Sequence, residues 1–267
     1  MLKNDLVRFI YRSYPLKRGK RFLEPLYKFI DGYEIIDDKN KNKMLLNLDN
    51  YIDSKIFFDG SYEDLHKSIL YEKYLETKCE YFIDVGANIG VYSVPFLKYK
   101  ETKQCFLFEP EPNNFAQLNA NVFLNNVSEK AKVFNCALSD KTTKTTLYVE
   151  NEKKKVDLGK VNAGTHSLES NLTREHGNKI EIDVFRGDEL VTFKNEVLCL
   201  KIDVEGHELS VLKGFTNLFN SNKCLILVEI FADRFVATNN YLTENNFHKI
   251  KIDANIGENY MYKNFGN

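Results

Sequence analysis

Paired cysteines, long apolar runs and net charge are all scarce in this chain of 267 residues. The five cysteines, Cys79, Cys105, Cys136, Cys199 and Cys224, are scattered and form no C-x-x-C pair. That spacing argues against a zinc site or a disulfide framework, and four of the five fall in segments that read as buried strands, so free core thiols in a reducing compartment are expected. No apolar run approaches the roughly 18 residues that a membrane span needs. Arg8, Arg12, Lys17 and Arg18 interrupt any signal-peptide h-region, and the expectation is a soluble, cytoplasmic protein. Lys and Arg number 37 against 38 Asp and Glu, a formal net charge of −1, which leaves no global attraction to nucleic acid or to an anionic surface. Internal repeats and low-complexity tracts are absent as well.

What is present is enough apolar sequence, 43% of residues, for one large α/β domain without staples. Residues 1–78 differ in texture from 79–267, and the chain divides accordingly into an N-terminal helical and extended appendage and a main domain. In the appendage, Leu2, Leu6, Phe9 and Ile10, then Phe22, Leu26, Phe29 and Ile30, recur at helical spacing between Lys and Arg. Two readings fit them: helices packed on the main domain or on a second subunit, as in a homodimer, or a basic amphipathic helix in peripheral contact with a membrane. "KMLLNLDNYIDSKIFFDGSYE" (43–63) reads as strand-like alternation with a turn at Asp59-Gly60, and a helix is expected over 63–75.

From Tyr81 the pattern is strand, turn, helix, repeated. Strands are expected at 81–85, 104–108, 132–136, 197–203 and 224–230, and helices at 89–98, 112–125, 207–219 and 233–244. The continuous apolar runs "VLCLKID" and "CLILVEI" suit parallel strands covered on both faces. "FHKIKID" and "NYMYKN" read as a closing antiparallel pair. The fold class implied is α/β: a doubly wound, Rossmann-like, mostly parallel sheet with helices on both faces, its ligand at the C-terminal strand ends near the topological switch point. Two further strand-like runs, 145–149 and 180–185, flank a polar loop containing "NAGTHSLESN", long enough to suggest a functional role.

The stretch "YFIDVGANIGVYS" (81–93) carries the first chemical signal. Asp84 precedes a turn bracketed by Gly86 and Gly90 around Ala87 and Asn88. Val91-Tyr92 after Gly90 excludes a P-loop. Asn88 stands where a dinucleotide fingerprint needs its second glycine, which disfavours a pyrophosphate ligand. S-adenosylmethionine has no phosphate. An acid before the turn suits its ammonium, and a second acid ending the next strand, Glu109 beside Pro110, suits both ribose hydroxyls, since one carboxylate accepts several hydrogen bonds. Ala137, Ser139 and Asp140 in "FNCALSD" stand where an adenine would lie; an ordinary strand-end turn explains them equally.

With these residues in place, "FIDVGANIGVYS", "FEPEPNNFAQLNANVFLNN", "NCALSD" and above all "LKIDVEGHELSVLKG" (200–214) resemble the FkbM family of S-adenosylmethionine-dependent methyltransferases over about residues 55–230. The resemblance implies the class I methyltransferase sheet of seven strands. It also implies O-methylation of a hydroxyl on a sugar, glycan or secondary metabolite, and a role for Tyr62 and Glu63 in closing over the donor. Such a transfer needs alignment of oxygen, methyl and sulfur and a group to take the acceptor's proton. Asp203, Glu205 and His207 in "KIDVEGHE" and His166 in "AGTHSL" are the catalytic candidates. Lys201 reads as a partner for an acid, and Glu229 could bind the acceptor or, with Asp203 and Glu205, a cation; no required metal is expected. His66, His176 and His248 read as surface residues. A nucleic-acid methyltransferase is the nearest rival, but Lys39–Lys43 and Lys153–Lys155 lie among acids, with no stacking aromatics beside a basic patch, and no nucleic-acid partner is expected. The intact "DVEGHE" speaks against a catalytically idle donor-binding module, and the missing fingerprint glycine disfavours a nicotinamide oxidoreductase.

Overall fold

The computed structural model describes residues 3–13, 23, 25–149, 164, 166–169, 178–252 and 254–266. Leu2, Phe22, the lysines at 153–155 and His176 lie outside the described residues. The chain opens with α1 (Lys3–Ser13), a hairpin of β1 (Tyr33–Asp37) and β2 (Lys43–Asn47), and the helices α2 (Tyr51–Asp59) and α3 (Asp64–Glu76). There follow β3 (Tyr81–Val85), α4 (Ser93–Lys98), β4 (Gln104–Phe108), α5 (Pro112–Leu124) and β5 (Ala131–Phe134). Next come three strands of a small sheet, β6 (Ala137–Ser139), β7 (Thr143–Val149) and β8 (Asn178–Arg186), and the short α6 (Gly187–Leu190). The chain ends with β9 (Val197–Ile202), α7 (Glu208–Gly214), α8 (Thr216–Ser221), β10 (Lys223–Glu229), α9 (Phe235–Glu244), β11 (His248–Lys249) and β12 (Asn259–Lys263).

Among the described residues the main sheet has seven strands in the order β11-β12-β10-β9-β3-β4-β5. Neighbours from β10 to β5 run parallel. β12 is antiparallel to both of its neighbours, so β11 points the same way as the rest. Along β3, Phe82 faces one buried layer with Phe96, Leu107, Leu118 and Leu225, while Ile83 and Val85 face the other with Leu200, Val211, Phe215 and Ile226. Both faces are therefore dry, the condition that near-continuous apolar strands require. The chain leaves β3 towards β4 on one side and returns through β9 on the other. The switch point thus lies beyond the C-terminal ends of β3 and β9, where a crevice must open.

The N-terminal residues join this core. Tyr11, Tyr27, Leu46, Ile56 and Phe58 share one apolar cluster with Ile89 and Val94. Asn121 accepts from Leu45 N at 2.6 Å, and Gln117 Nε2 donates to the Leu45 carbonyl at 2.8 Å. α3 gives Leu70 and Tyr74 to the layer that covers Phe82.

Several elements depart from the expected pattern. Residues 51–59 form a helix, not an alternating strand: Asn50 caps it by accepting from Ile52 N at 3.0 Å, and Gly60 closes it at φ +83°. Because Ile52, Asp53, Ile56, Phe57 and Phe58 are all buried, its apolar residues surround it and leave no single period to read. The second N-terminal stretch makes only a 3₁₀ turn over 25–29, and in α1 it is Tyr11 that turns inward while Leu6, Phe9 and Ile10 stay exposed. α4 starts at Ser93 because 89–92 are spent on the turn, and the helix expected over 207–219 breaks at Phe215 into α7 and α8. β12 inserts between β10 and β11, and Cys136 falls just after β5, where the chain leaves the main sheet for the small one. All five cysteines are buried and free. His66 is half-buried against the Ile256 carbonyl at 3.1 Å, not on the surface, whereas His248 is exposed. Among the described residues no helix is long and apolar enough to cross a membrane.

Candidate active site

β3 ends in the glycine turn. Gly86 (φ +81°) sits so close to β9 that a Cβ there would lie 1.9 Å from the Asp203 carbonyl oxygen, so no side chain fits. The Gly86 and Ala87 N–H groups both donate to the Phe108 carbonyl at 3.0 Å, clamping the turn against the end of β4. That clamp brings Glu109 beneath the turn: its Oε2 accepts from Asn88 N at 2.8 Å and its Oε1 from Glu111 N at 2.9 Å. Each oxygen keeps acceptor capacity for a ligand. Burial pushes the Glu109 carboxyl up to about 7, partly opposed by these two N–H groups.

Above these strand ends lies a cleft of about 1160 Å³, open mouth included. Gly86, Ala87, Asn88, Glu109, Pro110 and Ala137 line it. So do Tyr62, Glu63, His166, Asp203, Glu205 and His207. Four expected site residues are placed elsewhere. Asp84 is fully buried behind the turn, its Oδ2 accepting from Ser93 Oγ at 2.6 Å and its Oδ1 lying 3.8 Å from Lys201 Nζ. Strand alternation turns its side chain into the layer beneath, away from the cleft. Gly90 (φ +91°) is hemmed in by helix packing, a Cβ there meeting Leu118 Cδ1 at 2.9 Å. Ser139 and Asp140 lie outside the lining; Asp140 accepts from Ser139 Oγ at 3.2 Å and its carbonyl from Arg186 Nη1 at 2.7 Å.

A charged cluster occupies the floor. Lys201 Nζ donates to Asp203 Oδ2 at 3.0 Å and lies 4.8 Å from the centre of the Tyr92 ring. Burial alone lowers the Lys201 pKa, but Asp203, Asp84 and Glu63 outweigh it and the net direction is up: this ammonium stays charged. Glu229, at the end of β10, lines the cleft with Asp203; burial first, then the Asp203 charge, pushes its carboxyl far above the usual range, so it holds its proton near neutrality. Tyr92 donates to Glu63 Oε2 at 2.8 Å and closes the side of the floor. Glu63, Asn88 and Glu205, all in the lining, hold left-handed φ values of 51°, 50° and 50°. Three non-glycine residues in that strained region around one crevice are a mark of a functional site.

His207 stands on one wall, with both ring nitrogens engaged by protein groups. Nε2 lies 2.9 Å from Ser139 Oγ and Nδ1 2.9 Å from Glu169 Oε1. As a carboxylate, Glu169 is placed to accept from an Nδ1–H. Arg234 braces the same wall by donating to the Gly206 carbonyl, with Nη2 3.8 Å from Glu169. Ser167 pairs with Tyr148 of β7 and donates to the Glu205 carbonyl at 2.6 Å, holding 166–169 beside the turn after β9. Ser167 and Glu169 lie in the polar loop "NAGTHSLESN", but nothing local marks their partners, and Arg234 carries no motif: they meet Glu205, Gly206 and His207 only through long-range packing. In the sequence, Tyr92 is no more than the second residue after Gly90. Among the described residues, no group of three or more His, Cys, Asp or Glu side chains is disposed to hold a metal ion.

The strand order, the glycine turn and the cleft at the switch point define an open doubly wound α/β protein of the class I methyltransferase type. The sequence model of the methyltransferase FkbM domain matches residues 84–249, more than half of the chain, and the chain belongs to that family. It is 29% identical over 176 residues to Methyltransferase 1 of Beauveria bassiana, covering 57% of this chain and 66% of that protein. It is 34% identical over 155 residues to the hexuronic acid methyltransferase AglP of Haloferax volcanii, covering 56% and 55%. The chain thus spans less than two-thirds of the length of these curated relatives. A crystal structure of a methyltransferase FkbM from Methylobacillus flagellatus aligns with a TM-score of 0.48 at 17% identity, covering 70% of this chain and 44% of that one.

Proposed function

We propose that this protein is an S-adenosylmethionine-dependent O-methyltransferase acting on a hydroxyl of a sugar, glycan or secondary metabolite. The observation that carries the reading is Glu109, buried at the end of β4 directly under the Gly86–Asn88 turn with acceptor capacity aimed at the cleft. The residues fit that donor. Carboxyl groups of Glu63, Glu109, Asp203 and Glu205 surround the cleft against the buried ammonium of Lys201, a field suited to a cationic ligand. The names of the two relatives above, both methyltransferases and one acting on a hexuronic acid, support the reaction class and a sugar acceptor.

When bound, S-adenosylmethionine supplies a methyl group on a sulfonium that leaves as a neutral thioether. The chain's own part is to position and to move a proton. Asp203, anchored by Lys201 at 3.0 Å, is the group best placed to take the proton of the acceptor hydroxyl. Glu229, already protonated, orients Asp203 rather than competing with it. His207, held at both nitrogens, shapes the wall instead of accepting a proton. His166 lines the cleft and is the second candidate for contact with the acceptor.

Calorimetric titration of S-adenosylmethionine and, separately, NAD into the wild type and Glu109→Ala tests the reading. Donor binding that weakens in the variant supports it. Binding of NAD in preference, or of neither, overturns it.

A further inference from the structure

Residues 166–169 run along the cleft with alternating side chains. Ser167 exchanges two backbone hydrogen bonds with Tyr148 of β7, at 2.9 Å and 3.2 Å. Its buried hydroxyl donates to the Glu205 carbonyl at 2.6 Å. Glu169 reaches the same turn, with Oε1 2.9 Å from His207 Nδ1 and Oε2 3.8 Å from Arg234 Nη2. His166 and Leu168, at the alternate positions, line the cleft. This is the period of two of an extended chain: Ser167 and Glu169 anchor the segment, and His166 and Leu168 are presented to a ligand.

The anchors meet three successive residues of the turn after β9. Ser167 holds the Glu205 carbonyl, Arg234 donates to the Gly206 carbonyl, and His207 meets Glu169. Ser139 Oγ, 2.9 Å from Nε2, braces His207 at its other nitrogen. Leu168 packs against the small-sheet cluster that holds Ala137 and Leu147, and all three residues line the cleft. That patch lies beside the end of β4, since Asn135, two residues before Ala137, donates from Nδ2 to the Glu109 carbonyl at 2.9 Å. Adenosine joins a flat, largely apolar base to a ribose diol. An apolar slot next to a buried acid matches both parts.

We propose that Leu168 covers the adenine of the donor and that Glu169, held by His207 and Arg234, is the positioning residue that keeps Leu168 over it. The proposal rests on the S-adenosylmethionine reading above and adds the part of the wall that retains the ligand. Leu168 is only half-buried, so an adenine against it completes its burial. Without the Glu169 anchor the ligand itself must order the segment, and that ordering is subtracted from affinity.

The affinity and dissociation rate of S-adenosylhomocysteine, measured by surface plasmon resonance on the full chain, test the proposal. Leu168→Ala and Glu169→Ala should each weaken binding by about tenfold, chiefly through faster dissociation. The double variant should bind no more weakly than the weaker single one, because Glu169 acts through Leu168. Glu169→Gln keeps an acceptor oxygen for His207 and should fall between the wild type and Glu169→Ala. A role confined to folding would lower the melting temperature of the ligand-free variants and leave the dissociation rate of their folded fraction unchanged, which overturns the proposal. Losses that add in the double variant overturn it as well. In both cases the wild type still binds, so the donor reading stands. No binding of S-adenosylhomocysteine to the wild type overturns both.

Discussion

Asp203 and Asp84 are both carboxylates at the C-terminal ends of neighbouring strands, and both lie near Lys201, yet only Asp203 reaches the cleft. The difference is depth. Asp84 is still within β3 and points into a buried layer, whereas Asp203 lies one residue beyond β9, where the backbone has left the sheet. The role proposed for it gives a direct expectation. Asp203→Asn keeps the size and the contact with Lys201 but removes the proton acceptor, and turnover should fall by about 10²–10⁴-fold. Donor affinity by calorimetry should change little, and wild-type turnover in the variant would remove Asp203 as the base. "DVGANIG" and "FEPEP" made the Gly86 turn and Glu109 legible in the sequence because both are local: a sharp turn needs glycine, and an acid that ends a strand is visible as the last residue of an apolar run. The inward rotation of Asp84 and the Ser139–His207–Glu169 chain were not legible, since each depends on what another segment places opposite.

Among the elements, α2 is where local pattern and outcome diverge most. It is short, wrapped in apolar contacts and carries one buried acid, Asp53, which accepts from Asn47 N at 2.7 Å and Gln117 Nε2 at 2.6 Å. Its helical state is set by its ends, by the Asn50 cap and by Gly60, more than by any amphipathic period. Asn50→Ala removes the bond to Ile52 N, and the loss should be ~1 kcal/mol of stability, read as a lower urea midpoint with an unchanged slope. A shift within error would mean that burial alone holds the helix. α5 is the contrasting case: Pro112 in its first turn and Glu111 capping Asn114 N at 2.7 Å are start signals that the sequence shows outright, and the helix lies where those signals put it.

Across the whole molecule, several acids are buried with their pKa raised. Asp53, Glu109 and Glu208 are each pushed up to about 7, in every case chiefly by burial. A carboxyl raised in the folded state binds its proton there more tightly than in the unfolded chain. Its contribution to stability is therefore complete below the unfolded pKa near 4 and is lost as pH rises through 7. Unfolding free energy should thus fall between pH 5 and pH 8, each such group accounting for on the order of 1–3 kcal/mol. Urea denaturation at the two pH values measures the fall, and Glu109→Gln should flatten it; a stability that climbs over this interval would contradict the buried, protonated state of these acids. Placing Glu109 in this way, at the cleft, costs stability in the free protein, as sites preformed for a ligand commonly do.

The sequence by itself determined the wound sheet, the glycine turn and the acid that follows it, because apolar runs, turn glycines and strand-terminal acids are consequences of local backbone geometry. The tertiary structure alone decided the rest. Pairing across the sheet inserted β12 between β10 and β11, turned Asp84 inward and Asp203 outward, and joined Lys201 to Asp203. The small sheet brought Ser167 and Glu169 against Glu205 and His207 from almost forty residues away. Such contacts form only after distant segments have closed on one another, and the spacing of residues along a chain carries no record of what lies across the gap.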